Sequence, residues 1–237
     1  GVFDGKVKIM RNGIIGAYSW DNKDTTTGAE SDWGKNDWTD ARLMKLLNPG
    51  YESETTGGSL YYNSGSGSCY SGQNNATTTC NFTSTGIKND TTRNLISDTL
   101  YYLGGWYVSQ IYSDTMYEKE RGTTVYSGRP TTWTGKIALP YPSDYGYAAD
   151  LGSCTVQLGS YNDTTCTSVN WMKTIFTSNT WLLTSGSDDS DSVWTVNSSG
   201  KVDTGISAYS KIDIFPVLYL SSKLYVESGT GTSSDPY

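Results

Sequence analysis

The sequence predicts a single α+β domain with two helices early, a mostly antiparallel sheet built mainly from the C-terminal half, and long structured loops. Three observations carry this expectation. Strand-like runs rich in β-branched and aromatic residues crowd the region after Pro130, two earlier stretches repeat leucines at helical spacing, and four cysteines fall as two local pairs around polar loops. No repeat of fixed period and no Pro-rich linker divides the 237 residues. Residues 1–237 therefore read as one unit, with strands and a loop over 1–35 leading into a core over 36–237.

The elements follow in order. Lys6-Val7-Lys8-Ile9-Met10 alternates as a strand, Asn12-Gly13 is a hairpin turn signal, and Ile14 to Tyr18 follows as a second strand. A polar loop from Asp21 to Lys35 leads to a helix that Asn36 or Thr39 can cap. Leu43, Leu46 and Leu47 form its apolar face, and Asn48-Pro49-Gly50 stops it. Residues 51–85 read as a long loop or irregular hairpin. A second helix is predicted from an Asn89 or Asp90 cap through Leu95, Ile96, Leu100 and Leu103, ending at Gly104-Gly105. A mostly polar stretch runs on to Pro130. Strands are expected at Trp133 to Leu139, Thr180 to Thr184, Val193 to Val196 and Ile212 to Leu220, with a short helical piece around Trp171, Ile175 and Phe176.

The cysteines pair locally, Cys69 with Cys80 and Cys154 with Cys166. Four cysteines allow three connectivities, and locality favours these two bridges. Ten and eleven residues separate the partners, far from the spacing of two to four that structural zinc prefers. Disulfides imply an oxidising compartment, so the expected location is extracellular, at the cell surface. Residue 1 is Gly and no leader is visible, which predicts a processed ectodomain attached to a membrane only through an anchor upstream of Gly1. Five Asn-X-Ser/Thr triplets, starting at Asn75, Asn81, Asn89, Asn162 and Asn197, fit surface loops.

Charge and motifs narrow the function classes. Net charge is -7 and the 17 Lys and Arg residues are dispersed, so neither nucleic acid nor an anionic lipid surface is an expected partner. Histidine is absent, which removes the commonest general base and metal ligand. No G-x-S-x-G elbow, P-loop or dinucleotide fingerprint occurs. The expectation is a non-enzymatic domain with no catalytic residue. Glu118 and Glu120, beside Lys119 and Arg121, read as a solvated helix face or turn rather than as glycosidase carboxylates. Asp188, Asp189 and Asp191 offer hard oxygen ligands for calcium but lack the full twelve-residue loop pattern, so a polar hairpin tip is the preferred reading and no cofactor is expected.

The aromatic surplus, 19 Tyr and 8 Trp, is more informative. Rigid Tyr and Trp set among Ser, Gly and Asn give a composition like that of binding loops. The candidate ligand-binding residues are Trp106, Tyr107, Tyr112 and Tyr117 in the 101–126 region, and Asp188, Asp189, Asp191 and Trp194 in the 184–210 region. The expected partner is a cell-surface glycan or protein, or a further copy of the chain in a filament.

Several runs also carry a family resemblance: Trp133-Thr134-Gly135-Lys136-Ile137-Ala138-Leu139-Pro140-Tyr141-Pro142-Ser143-Asp144-Tyr145-Gly146-Tyr147-Ala148, Asp37-Trp38 through Leu46-Leu47-Asn48-Pro49-Gly50-Tyr51, and Ser59-Leu60-Tyr61-Tyr62-Asn63 leading to Cys69. The order continues through Trp181-Leu182-Leu183-Thr184, Val193 to Val196, Gly200-Lys201-Val202, Phe215-Pro216-Val217-Leu218-Tyr219-Leu220 and Gly229 to Tyr237. Together these resemble secreted, type IV pilin-like surface proteins of Firmicutes whose C-terminal domain has no known function. That domain is similar to the C-type-lectin-like fold of formylglycine-generating enzymes. The resemblance implies a compact mixed fold displayed at the cell surface, as an adhesin or as the globular head of a pilin-like filament. None of the four cysteines sits where that enzyme branch has a catalytic pair. Phe215-Pro216-Val217 also stands where the family usually has Arg-Pro-Val.

Overall fold

The computed structural model describes residues 1–3, 5–22 and 34–222. The run from Gly229 to Tyr237 that carries part of the resemblance lies outside them. In chain order the elements begin with β1 (Val2–Phe3), β2 (Lys6–Met10), β3 (Ala17–Tyr18) and α1 (Arg42–Leu47). Next come β4 (Ser66–Tyr70), β5 (Thr77–Asn81), α2 (Asp90–Asn94), β6 (Thr99–Tyr102) and α3 (Ser113–Glu120). The second half holds β7 (Thr132–Gly135), β8 (Ile137–Ala138), α4 (Pro142–Tyr147) and α5 (Thr164–Val169). It closes with β9 (Thr180–Ser185), β10 (Ser192–Val196), β11 (Val202–Ser207), β12 (Ile212–Asp213) and β13 (Val217–Tyr219).

Among the described residues the protein is a mixed α/β fold, mostly sheet with short helices. One sheet has the order β11-β10-β9-β12-β3, a second has β1-β2-β13-β8, and β4-β5 and β6-β7 form separate two-stranded ribbons. All pairings are antiparallel except β12 on β9. The run Trp181-Leu182-Leu183 is apolar without a break because β9 is buried on both faces. Trp181 and Leu183 join a core that includes α1 and the β4-β5 ribbon, while Leu182 joins a second core with Tyr145, Tyr161 and Phe176.

Both local disulfides are present. Cys69–Cys80 crosses the β4-β5 ribbon with Cα atoms 5.9 Å apart, and Cys154–Cys166 ties the segment after α4 to α5 with Cα atoms 4.6 Å apart. They fit a secreted protein. Among the described residues no helix is long and apolar enough to cross a membrane.

Several expectations need correction. The second helix stops at Asn94; Asn89 does cap it, accepting from Thr92 N at 2.9 Å. Beyond it, Thr99 and Tyr101 are buried while Leu100 is exposed, the two-residue period of strand β6. Leu100 and Leu103 matched a helical spacing by coincidence, and pairing with β7 decided the outcome. Gly104-Gly105 therefore ends no helix. A Cβ on Gly105 would lie 2.5 Å from the Ser185 carbonyl oxygen and one on Gly104 2.3 Å from that of Lys119, so the pair permits close backbone crossing.

Asn12-Gly13 turns no hairpin either, since β2 pairs with β1 and β13 while β3 pairs with β12 in the other sheet. The α1 cap comes from neither Asn36 nor Thr39. Asp21 Oδ1 accepts from Arg42 N at 3.2 Å, so the first turn is satisfied from a distant loop. Helix α3 lies in the stretch read as mostly polar, where the Glu118 to Arg121 run was read as a helix face or turn; α5 lies in the second cysteine loop, and α4 stands where no element was expected. Pro142 at the first position of α4, with Asp144 Oδ2 accepting from Tyr141 N at 2.8 Å, is the local start signal that the sequence carried.

Candidate functional site

A cleft of about 350 Å³ opens between β2, α3, α4 and the segment after α5. Its floor is an ion pair, Lys8 Nζ to Asp144 Oδ2 at 2.5 Å, and its walls include Tyr117, Tyr147 and Trp171. Strand β2 supplies Lys8 by reversing the usual phase: Val7 and Ile9 face outward, while Lys8 is buried. The lysine is accepted there because Asp144 neutralises it and because its ammonium lies 4.8 Å from the Tyr141 ring centre and 5.7 Å from that of Tyr219. Its stem also covers apolar surface.

The aromatic walls are held rigidly. Trp171 is the most exposed described tryptophan, at 58%. Its backbone N donates to Ala148 O at 3.2 Å, and Asn170 Nδ2 beside it donates to Tyr145 O at 2.9 Å. Asn170 Oδ1 accepts from Met172 N and Lys173 N, so the indole projects from a fixed turn on the end of α4. Tyr147 is 47% exposed and meets Tyr117 edge-to-face at 6.2 Å. Tyr117 is stacked from behind by the Arg121 guanidinium at 3.3 Å.

Glu120 is fully buried, which corrects the solvated reading of that charge run; Glu118 is exposed as expected. Ser143 N and Oγ both donate to its carboxyl group, tying the end of α3 to the start of α4. Burial pushes Glu120 up to about 8; the Ser143 bonds oppose this, Asp144 adds to it, and Arg121 opposes it. A neutral-leaning acid near Asp144 resembles the divided carboxylates of hydrolases. However, Glu120 does not line the cleft, and Asp144 is engaged by Lys8 and Tyr141.

The predicted site residues scatter. Trp106 and Tyr107 form a separate patch with rings 4.8 Å apart, and Lys119 Nζ sits 3.8 Å over Trp106. Tyr112 is exposed ahead of α3, and Tyr117 alone of the eight reaches the cleft. Trp194 is fully buried and supports the patch from below, its Nε1 donating to Trp106 O at 3.0 Å, so it offers no surface to a ligand. Asp188 is exposed, Asp191 is buried, and Asp189 binds its own turn through Asp191 N and Ser192 N. Asn36 Nδ2 clamps the same turn by donating to Gly186 O, Asp189 O and Ser192 O. These are the bonds of a hairpin tip, and among the described residues no three metal-ligating side chains gather.

Lys8, Asp144, Tyr147 and Trp171 were not predicted. Tyr147 and Asp144 stood inside the run from Trp133 to Ala148 and Trp171 inside a short helical piece, but which side chains meet depends on chain crossings that local periodicity does not report. No protein family, curated protein or solved structure matches the chain.

Proposed function

We propose that this chain is a non-enzymatic, extracellular recognition domain, adhesin-like in role, that binds a glycan in the cleft walled by Tyr117, Tyr147 and Trp171. The observation that supports this reading most is Trp171, a large apolar ring held in the open by a hydrogen-bonded turn at the mouth of a concave site. Leaving an indole exposed forgoes the stabilisation of burying it. Aromatic faces stack on the C–H faces of sugar rings, while the ion-paired Lys8 and Asp144 give the floor a polar patch that hydroxyls can meet. Such a mixture of apolar walls and few polar groups suits a preformed small-ligand site. The two disulfides fit the oxidising location, and Glu120's seclusion from the cleft supports a binding role over hydrolysis.

The test is a glycan array probed with the native protein and with Trp171→Ala. Binding that falls at least tenfold in the variant, with an unchanged melting temperature, is expected. Equal binding by both proteins, or none by the native protein, removes the reading.

A second reading, the globular head of a pilin-like filament, is favoured by one observation. Val2, Val7 and Ile9 are all exposed on β1 and β2, an apolar surface that self-association would cover. Sedimentation that stays monomeric to millimolar concentration counts against it.

A further inference from the structure

We propose that a smaller pocket beside the cleft is a subsite for the carboxylate of an acidic sugar residue; this rests on the glycan reading above. The pocket, of about 170 Å³, is lined by Lys6, Thr99, Tyr102, Arg121, Tyr141 and Tyr219 among others. Two of these residues are cations, in a chain whose net charge is -7. Lys6 Nζ donates to Ser97 Oγ, Asp98 O and Thr99 Oγ1 at 3.0, 3.2 and 3.3 Å, all uncharged oxygens. The Asp98 carboxylate is turned instead to Lys136 Nζ at 3.3 Å.

Arg121 Nη1 donates to Tyr117 O at 3.2 Å and meets Glu120 Oε2 at 3.4 Å. That contact sits at the long end of hydrogen-bond range, and Glu120 itself does not line the pocket, so the guanidinium alone presents its charge there. Two cations line one concavity whose lining holds no carboxylate, an arrangement that an anionic ligand group would complete. The bonds above use only Nη1 of Arg121, which has further N–H groups for a carboxylate, while Lys6, its three donors already placed, contributes its charge.

The pocket is preformed and adjoins the cleft. Tyr141 Oη donates to Tyr102 O and accepts from Tyr102 N, each at 2.9 Å, which fixes two of its walls. The Arg121 guanidinium lies 5.5 Å from the Tyr102 ring centre and 5.6 Å from that of Tyr141. The same guanidinium stacks on Tyr117, a cleft wall, and Lys8 on the cleft floor lies over Tyr141. One oligosaccharide thus has a stacking surface for a neutral ring and, across that shared wall, two cations for the carboxylate of its neighbour.

The test is a glycan array carrying uronic-acid oligosaccharides beside their methyl esters, which keep the ring and remove the charge. The native protein should bind an acid at least tenfold more tightly than its ester. Lys6→Met should erase most of that difference while leaving ester binding unchanged; Arg121→Gln, whose guanidinium also backs Tyr117, should lower the acid-to-ester ratio to the same extent whatever it does to ester binding itself. Lys6→Met removes no core contact, so it keeps the test sound if Arg121→Gln folds poorly. Equal binding of acids and esters, a preference for esters or neutral sugars, or an acid preference that survives both substitutions overturns this subsite and leaves the cleft reading standing. Binding to no glycan overturns both.

Discussion

Glu120 shows at the scale of one residue how burial overrides local sequence. Flanked by Lys119 and Arg121 it reads as a surface charge, yet it sits behind Ser143 with no exposure and its ionisation is pushed up to about 8 from an ordinary 4.5. Between those values the folded state holds a proton that the unfolded chain has lost. The Glu120 contribution to stability is therefore fully present below about 4.5 and is lost as pH rises toward 8, by a few kcal/mol on the order of magnitude. Glu120→Gln keeps an acceptor for Ser143 and abolishes the titration. Urea unfolding at pH 5 and pH 9 should find the variant near the native protein at pH 5 and clearly more stable at pH 9. The same difference at both pH values would show that Glu120 does not titrate in this window.

At the scale of elements, what was legible depended on how local the determining interaction is. Strands β9 and β10, the Asn89 cap and both disulfide pairings rest on nearby residues, and each appears where expected. The α1 cap from Asp21, the reversed phase of β2 and the conversion of Leu100 from helix to strand depend on partners far along the chain. No period reports these. The candidate site was the least legible part, because Lys8, Asp144 and Trp171 meet only through tertiary crossings, and of the predicted residues Tyr117 alone lies among them. The Gly104-Gly105 crossing gives a direct check. Gly105→Ala drives a methyl group against the Ser185 carbonyl, 2.5 Å away, and should cost about 1–3 kcal/mol in denaturant unfolding. A neutral effect would mean that β9 and this segment do not approach as described.

Across the whole molecule, the two cores meet at β9 and β10, whose opposite faces contribute Trp181 and Leu183 to one and Leu182 and Trp194 to the other. Thermal unfolding should therefore show one cooperative transition rather than two. Removing either disulfide, by Cys69→Ser with Cys80→Ser or Cys154→Ser with Cys166→Ser, should lower that same transition, each bridge contributing roughly 3 kcal/mol for a loop of this length. Separate transitions, each responding to one bridge, would show two independent units. Among the described residues the same frame presents two aromatic surfaces, the Trp106–Tyr107 patch and the cleft, and the proposed ligand belongs to the cleft. Titration calorimetry with the tightest glycan from the array tests that assignment directly. Trp171→Ala and Tyr147→Ala should each weaken binding at least tenfold while Tyr107→Ala leaves it within twofold; loss of binding in Tyr107→Ala with retention in Trp171→Ala would place the site elsewhere and contradict the account.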